Sequence, residues 1–319
     1  MSTGQITDVP GILVGQQQNT EALTGCSVII TEAGAIAGVD VRGSAPGTRE
    51  TDLLNPINLV EKVHGICLTG GSAFGLDAAS GVMKYLEEKQ IGMDVGVARV
   101  PIVPAAVLFD LAIGDPHTRP DLEMGYQAAS IASSNPITTG NYGAGCGATV
   151  GKLAGFEYCM KAGIGTASIK ISDEITIGAL VAVNAVGEIR NPATGQTIAG
   201  PYDRNNEQLL DSDSLLKQTA HKVLFPGTNT TIGVVAINTS LSKVEATKVS
   251  QMAHDAFART IYPAHTMYDG DTIFTLATGG PKLPVDLIGA MAAKVMEQAI
   301  LNAVYSAESI GNIPAYNQI

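Results

Sequence analysis

The sequence predicts an α+β fold in which mixed sheets and helices form layers. Apolar, β-branched segments come in pairs and small groups between helical patterns, without the strict strand–helix alternation of a dinucleotide-binding fold. The composition suits dense packing, since 45% of residues are hydrophobic, 15% are charged and 36 of 319 are glycine. This length allows one large domain or two modest ones, and we expect a single domain over 1–319.

The strand predictions rest on apolar runs bounded by Gly, Asn and Pro. They cover 26–42, 65–69, 97–103, 174–189, 230–238 and 271–278, the first with a hairpin-like centre, EAGAIAG. The helix predictions rest on apolar residues that recur every three or four positions. They cover 73–89, 119–134, 242–260 and 284–308. The third helix opens with Ser242 and Glu245 at the spacing of a capping box.

Several classes of protein are disfavoured by charge and hydropathy. A net charge of −11 argues against binding to nucleic acid or to an anionic membrane surface. The N-terminal MSTGQITDVPGILVG lacks a signal-peptide pattern, and the most apolar stretch, 285–305, is interrupted by Asp286, Lys294 and Glu297. The four cysteines have no CxxC spacing, which favours a reducing compartment. We therefore expect a soluble, cytoplasmic protein.

Familiar cofactor motifs are incomplete. GAGCGATVGKL at 143–153 resembles a phosphate loop, but Cys146 takes the place of its first glycine and Leu153 that of its Ser or Thr. The five histidines form no HExxH or Cys–His metal spacing, and no GxSxG nucleophile motif occurs. We expect neither a metal nor another cofactor.

GGSAFGLDAAS at 70–80 follows a predicted strand and opens a predicted helix. The backbone N–H groups of Gly70 and Gly71 suit an oxyanion there. Close packing of helix on sheet explains the same glycines equally well.

GTNTTIGVVAIN at 227–238 places two threonines at the start of an apolar strand. An N-terminal Thr can serve as its own base, because its α-amine has a pKa of about 7.7–8.0 and can accept the hydroxyl proton. Thr230 acquires that amine only if the Asn229–Thr230 bond is broken. The alternative is a loop that simply leads into a strand.

The segment 227–279 resembles the L-aminopeptidase/D-esterase family, which includes β-peptidyl aminopeptidases and the nylon-oligomer (6-aminohexanoate) hydrolase. Further matching segments are DVRGSAPGTRETDLL, ICLTGGSAFGLDAASGV, GAGCGATVGK and VAVNAVGEI, in the family's order over about 280 residues. The resemblance implies an αββα sandwich of the N-terminal-nucleophile-hydrolase kind, self-cleaved into two chains that stay together.

The resemblance also implies roles for single residues. The Asn229–Thr230 bond matches the cleaved bond, which would give an α chain of 1–229 and a β chain of 230–319 with Thr230 as nucleophile. Lys152 matches a lysine beside the nucleophile, where a cation disfavours a protonated neighbouring amine.

Three more residues match supporting positions of the family. Asn184 falls on an asparagine that helps to hold the oxyanion, a role that its side-chain N–H can fill. Asp269 and Asp271 fall on a paired-acid motif that positions the nucleophile and assists processing. Without the resemblance, YDGDTIF would indicate a turn.

The chain departs from the aminopeptidase members at AAVLFD, 105–110. Those members tend to have Glu and Tyr where this chain has Val107 and Phe109. We place both in the substrate pocket with Gly70 and Gly71. The missing carboxylate and hydroxyl weaken the prediction of strict N-terminal trimming.

The predicted function is hydrolysis of amide bonds in small peptides or ω-amino-acid oligomers through an acyl-enzyme. Two alternatives stay open: an acyltransferase on a related self-cleaving scaffold, as in ornithine acetyltransferase, and a binding protein that is not processed. The expected partners are a small amide or peptide substrate and further copies of the self-cleaved αβ unit in a homo-oligomer.

Overall fold

The computed structural model describes residues 4–218 and 229–319. The five α-helices in this part of the chain are α1 (Ala78–Glu88), α2 (Leu122–Ser130), α3 (Ser212–Gln218), α4 (Lys243–Thr260) and α5 (Val285–Tyr305). The longer strands are β1 (Leu13–Asn19), β2 (Thr24–Val41), β4 (Lys62–Thr69), β10 (Ile164–Lys170), β11 (Thr176–Ala182), β16 (Ile232–Ile237) and β18 (Thr272–Ala277). The short strands are β3 (Thr48–Arg49), β5 (Met93–Asp94), β6 (Arg99–Val100), β7 (Ala105–Val107), β8 (Thr149–Val150), β9 (Met160–Lys161), β12 (Glu188–Arg190), β13 (Thr197–Ala199), β14 (Tyr202–Asp203), β15 (Gln208–Leu209) and β17 (Ile261–Tyr262).

The central sheet has nine strands, in the order β10-β11-β16-β18-β2-β4-β7-β3, with β1 paired to β2 outside this path. The long strand β2 joins two halves of the sheet. Its first part pairs with β1 and β4, and its last part pairs with β18. Most neighbours are antiparallel, but β16 runs parallel to β18 and β4 runs parallel to β7.

Alternation of side chains along these strands divides the interior into three cores. One core lies between the two halves of the sheet and receives Val234 and Phe274. Val235 and Ile273, on the opposite face of the same strands, pack with α4 and α5. A third core joins β2 and β4 to α1 and α2. Two helical layers therefore enclose two layers of strand, which confirms the predicted αββα sandwich.

The segment 26–42 was expected to be hairpin-like, and here the prediction is wrong. It forms the single strand β2, whose pairing with β4 is interrupted between Ile30 and Ala35. Gly34 has φ +70° at this interruption, a conformation that favours glycine. The interruption lets β2 pass from one half of the sheet into the other. In the sequence, such an interruption has the same glycine-containing pattern as the turn of a hairpin.

The helix α5 is long and apolar enough to cross a membrane by composition alone. Its apolar residues instead belong to the core, where the helix packs on β10, β11 and α4. The polar stretch 191–228 contains the short strands β13, β14 and β15 and the helix α3, and its residues 219–228 lie outside the described part of the chain.

Candidate active site

The two threonines lie where the chain enters the centre of the sheet. Thr230 and Thr231 precede β16 directly and are 3% and 0% exposed. The N–H of Thr230 donates to the backbone oxygen of Asn184 at 2.7 Å. Because β16 lies between β11 and β18, this segment is held from both sides. The hydroxyl of Thr230 is thereby buried among fixed backbone groups.

The carbonyl of Asn229 has two donors. Its oxygen accepts from the Gly270 N–H at 3.0 Å and from the hydroxyl of Thr230. Gly270 must be small, since a Cβ at this position would lie 2.8 Å from the Thr230 Oγ. The hydroxyl and the carbonyl that it would attack are therefore adjacent, and a backbone donor polarises that carbonyl.

Asn184 links the threonine segment to the predicted lysine. Its Oδ1 accepts from the Lys152 Nζ at 2.7 Å and from the Thr149 N–H at 3.1 Å, while its Nδ2 donates to the Phe109 oxygen at 3.0 Å. Asn184 is 0% exposed. Its backbone thus holds Thr230 and its side chain holds Lys152. The predicted oxyanion role stays a prediction, since its N–H is bonded to Phe109 in this uncleaved chain.

Lys152 is buried beside this network. Burial lowers the pKa of its ammonium to about 7, against weaker opposing effects of the Cys159 thiol and the Asp269 carboxyl. A large fraction of this lysine is therefore a neutral amine at neutral pH. Its Nζ also lies 5.9 Å from the centre of the Phe156 ring.

The paired acids hold the other side of the threonine segment. Asp271 Oδ1 accepts from the Thr231 N–H at 2.8 Å, and Asp269 Oδ2 accepts from the N–H and hydroxyl of Thr266. Burial, and then the charge of Asp271, raise the pKa of Asp269 to about 6. Asp271 is thus a direct partner of the threonine segment, whereas Asp269 supports the turn that carries Gly270.

The predicted pocket residues fall into two groups. Phe109 is half-buried, and the centre of its ring lies 6.5 Å from the centre of the Phe156 ring. Val107, in β7, is only 4% exposed. The N–H groups of Gly70 and Gly71 already donate to the Gly25 oxygen and the Asp110 carboxylate. This favours the packing interpretation of the two glycines.

Sequence reasoning missed three neighbours of the site. Gly270 lies between the two predicted acids, and Phe156 follows Lys152 in a short loop. His265 donates to Asp271 from its ring at 2.8 Å. Of the three, only His265 could have been noticed in the sequence, because it lies six residues before Asp271. That spacing alone does not show that the loop folds back and brings the two side chains together. Within residues 4–218 and 229–319, no group of three His, Cys, Asp or Glu side chains is arranged to hold a metal.

Comparison with known proteins places the chain in a family. Residues 4–315 match the model of peptidase family S58. The chain belongs to this family. It is accordingly an enzyme that hydrolyses peptide or amide bonds.

Relatives of this S58 peptidase include an uncharacterised aminopeptidase of Mycobacterium leprae, 40% identical over 98% of this chain and 92% of the relative. One from Mycobacterium tuberculosis H37Rv is 39% identical over 98% and 97%. A 6-aminohexanoate-oligomer endohydrolase of a Kocuria species is 32% identical over 95% and 87%. The family resemblance noted in the sequence is thus confirmed.

Solved structures confirm the fold of this S58 peptidase. The L-aminopeptidase D-Ala-esterase/amidase of Ochrobactrum anthropi, described as a variant of the Ntn hydrolase fold, superposes with a TM-score of 0.70 at 20% identity, over 97% of this chain and 88% of that one. A Burkholderia β-aminopeptidase gives 0.68 at 22% identity, over 98% and 90%.

Proposed function

We propose that the chain cuts its own Asn229–Thr230 bond and that Thr230 then attacks substrate amides as a new N-terminal residue. The contacts of the Asn229 carbonyl carry this proposal. A hydroxyl lies against the carbonyl, and the Gly270 N–H lies 3.0 Å from its oxygen. A nucleophile and an oxyanion donor are the parts that an acyl shift from nitrogen to oxygen requires.

Self-cleavage proceeds in two steps. A bond forms between Thr230 Oγ and the Asn229 carbonyl carbon, the Asn229–Thr230 C–N bond breaks, and the hydroxyl proton passes to the Thr230 nitrogen. The Gly270 N–H stabilises the negative charge on the oxygen between these events. Water then hydrolyses the resulting ester, which restores the hydroxyl and leaves chains 1–229 and 230–319.

Substrate hydrolysis uses the same groups. The α-amine of Thr230 removes the proton from its own hydroxyl and passes it to the leaving amine. The backbone oxygen of Asn184 orients that amine, and the fraction of Lys152 that carries a proton disfavours the protonated form of the amine. We assign the oxyanion to the Gly270 N–H and the Asn184 Nδ2. Water releases the acyl group, so the reaction needs no cofactor.

The surroundings support substrates with an aliphatic acyl part, in small peptides or 6-aminohexanoate-type oligomers. Phe109 and Phe156 offer an apolar wall near Lys152. The carboxylate of Asp110, which follows Phe109, already accepts hydrogen bonds from the Thr24 hydroxyl at 2.7 Å and from the Gly71 N–H at 2.7 Å. It is therefore poorly placed to hold a free amine. The endohydrolase relative supports internal cleavage, while the aminopeptidase relatives support removal of N-terminal residues.

We further propose a cytoplasmic homo-oligomer of cleaved αβ units that binds neither nucleic acid nor membrane. All four cysteines are buried free thiols, and the net charge is −11. Ile57, Leu59 and Val97 are each about nine-tenths exposed or more, which suits a surface covered by another copy. Light scattering of the purified protein tests the oligomer.

The central experiment is denaturing mass spectrometry of the fresh and the incubated protein. We expect two species with the masses of 1–229 and 230–319. Thr230→Ser should be cleaved more slowly, because its hydroxyl can still attack, and Thr230→Ala should remain at 32.9 kDa. Thr231→Val is the matched control: the Thr231 Oγ has no hydrogen-bond partner among the described residues, so cleavage should persist.

Amide hydrolysis is then measured on the same variants, with β-alanyl and α-aminoacyl anilides and with 6-aminohexanoate oligomers. A cleaved, active Thr230→Ala protein would overturn the proposal. Product that appears only when an acceptor amine is added would identify an acyltransferase. A stable, uncleaved and inactive wild-type chain would favour a binding protein.

A further inference from the structure

His265 lies behind the active site and belongs to none of the predicted groups. It lies between β17 and β18, on the loop that carries Asp269 and Asp271. Its backbone has φ +56°, which is uncommon for a residue other than glycine. Its ring packs against two residues of α4, edge-on to His254 at 4.8 Å and stacked on Phe257 at 5.8 Å.

Asp271 connects this histidine to the threonine segment. One carboxylate oxygen, Oδ2, accepts from the Nδ1 of His265 at 2.8 Å and from its backbone N–H at 3.2 Å. The other oxygen, Oδ1, accepts from the Thr231 N–H at 2.8 Å. An ionised carboxylate only accepts hydrogen bonds, so the Nδ1 of His265 carries the proton. The carboxylate is thus fixed at both oxygens.

We propose that His265 is a positioning residue for Thr230: through Asp271 it fixes the Thr230–Thr231 peptide in the orientation that self-cleavage needs. This inference rests on the proposed function. The Thr231 nitrogen is bonded to the carbonyl carbon of Thr230, so its hydrogen bond to Asp271 anchors the backbone on one side of the nucleophile, as the Asn184 oxygen anchors the Thr230 N–H on the other. Misplacement by about 1 Å can lower a rate by roughly 100-fold.

The groups around the His265 ring leave Asp271 as the acceptor of its Nδ1–H. The titratable groups that face it are Asp271 in its own loop, with Asp269 beyond, and His254 on α4. Burial lowers the pKa of His254 to about 4, so that ring stays neutral at neutral pH, and its Nε2 contacts the Asp40 oxygen at 3.0 Å. The Nε2 of His254 is thus directed at Asp40, while the ring of His265 is bonded to Asp271.

Substitutions at position 265 distinguish the role of the imidazole ring from that of the backbone. His265→Gly keeps the positive φ and the backbone N–H but removes the imidazole. His265→Asn tolerates the same φ and keeps a side-chain donor. His117→Gly is the matched control, because His117 is exposed on another loop.

We expect His265→Gly to cleave about 10- to 100-fold more slowly than the wild type. His265→Asn should recover part of the lost rate, because it keeps a side-chain donor for Asp271, and His117→Gly should match the wild type. A His265→Gly rate equal to that of the wild type overturns the inference, and so does the absence of any recovery in His265→Asn.

A second measurement does not depend on cleavage. In the Thr230→Ala background, hydrogen exchange at the Thr231 amide should accelerate in His265→Gly and not in His117→Gly. Equal exchange in both overturns the inference even if the wild type is never cleaved. Failure of wild-type cleavage, by contrast, counts against the proposed function.

Discussion

A single buried lysine in this site carries a charge that its surroundings disfavour. Lys152 is 4% exposed, and apart from the Asn184 Oδ1 no hydrogen-bond acceptor is found for its Nζ among the described residues. Desolvation of its ammonium lowers its pKa from 10.5 to about 7. Between these values the unfolded chain binds the proton and the folded chain does not, so the free energy of unfolding rises with pH.

We predict that Lys152→Met stabilises the protein. In the Thr230→Ala background, which we expect to remain uncleaved, the free energy of unfolding near neutral pH should increase by about 1–3 kcal/mol, because a buried charge is replaced by an apolar side chain of similar length. The gain should shrink as the pH rises above the folded pKa of about 7. Urea unfolding at neutral and at alkaline pH measures both effects.

The matched control for this variant is Lys243→Met. Lys243 is equally buried, but its Nζ donates to three backbone oxygens, those of Leu53, Asn58 and Val60. Its loss leaves these acceptors unpaired, so Lys243→Met should destabilise the protein. Equal losses in the two variants would show that the charge of Lys152 is not the dominant cost.

At the scale of elements, sequence pattern located the long helices and the central strands. The prediction for 242–260 agrees with Lys243–Thr260, and 230–238 and 271–278 contain β16 and β18. Pattern missed β1 and β10, and it merged β11 with β12, which belong to different sheets. Both errors have one cause. Strand identity here depends on pairing partners distant in sequence, whereas periodicity records only local alternation.

The same limit applies to the site. Thr230, Lys152 and Asn184 were named from family resemblance, and the structure brings them into one hydrogen-bonded group. The donor to the Asn229 carbonyl is the backbone N–H of Gly270. Every residue except proline has such an N–H, so the sequence does not show which one binds the carbonyl. The contact of His265 with Asp271 likewise depends on how their loop folds.

The start of α4 gives a prediction about a local element. The Ser242 Oγ accepts from the Glu245 N–H, and the Glu245 carboxylate accepts from the Ser242 N–H at 2.7 Å, as the capping box predicted. Ser242→Ala should lower the free energy of unfolding by about 1 kcal/mol, and Ser242→Thr should retain most of it. Ser130→Ala, on an exposed helix end, should change it by less than about 0.5 kcal/mol.

Thermal and urea unfolding measure these differences. The Ser242 N–H is the main cause of the lowered pKa of Glu245. The stability that the ionised Glu245 carboxylate contributes is therefore present above the ordinary Glu pKa of 4.5, and it is lost as the pH falls through the lowered pKa of the folded state. A loss in Ser242→Ala no greater than in Ser130→Ala would show that other contacts fix the helix end.

At the scale of the whole molecule, the parts of the chain before and after the Asn229–Thr230 bond are interleaved. The part after Asn229 contributes β16 and β18, which are neighbours in the centre of the sheet. The part before it contributes β11 on one side and β2 on the other, and each of these borders is a ladder of six residue pairs. The helices α4 and α5 then cover this region with a shared core.

This arrangement predicts that breaking the Asn229–Thr230 bond does not separate the products. Dissociation would expose both strand ladders and the core beneath α4 and α5, a cost comparable to unfolding the protein. The cleaved protein should therefore elute as one species in native size-exclusion chromatography, at the same volume as uncleaved Thr230→Ala. Its two chains should separate only in concentrated denaturant, with one cooperative transition. Elution of free 230–319 in native buffer would mean that the connection through residue 229, rather than the shared sheet, holds the two parts together.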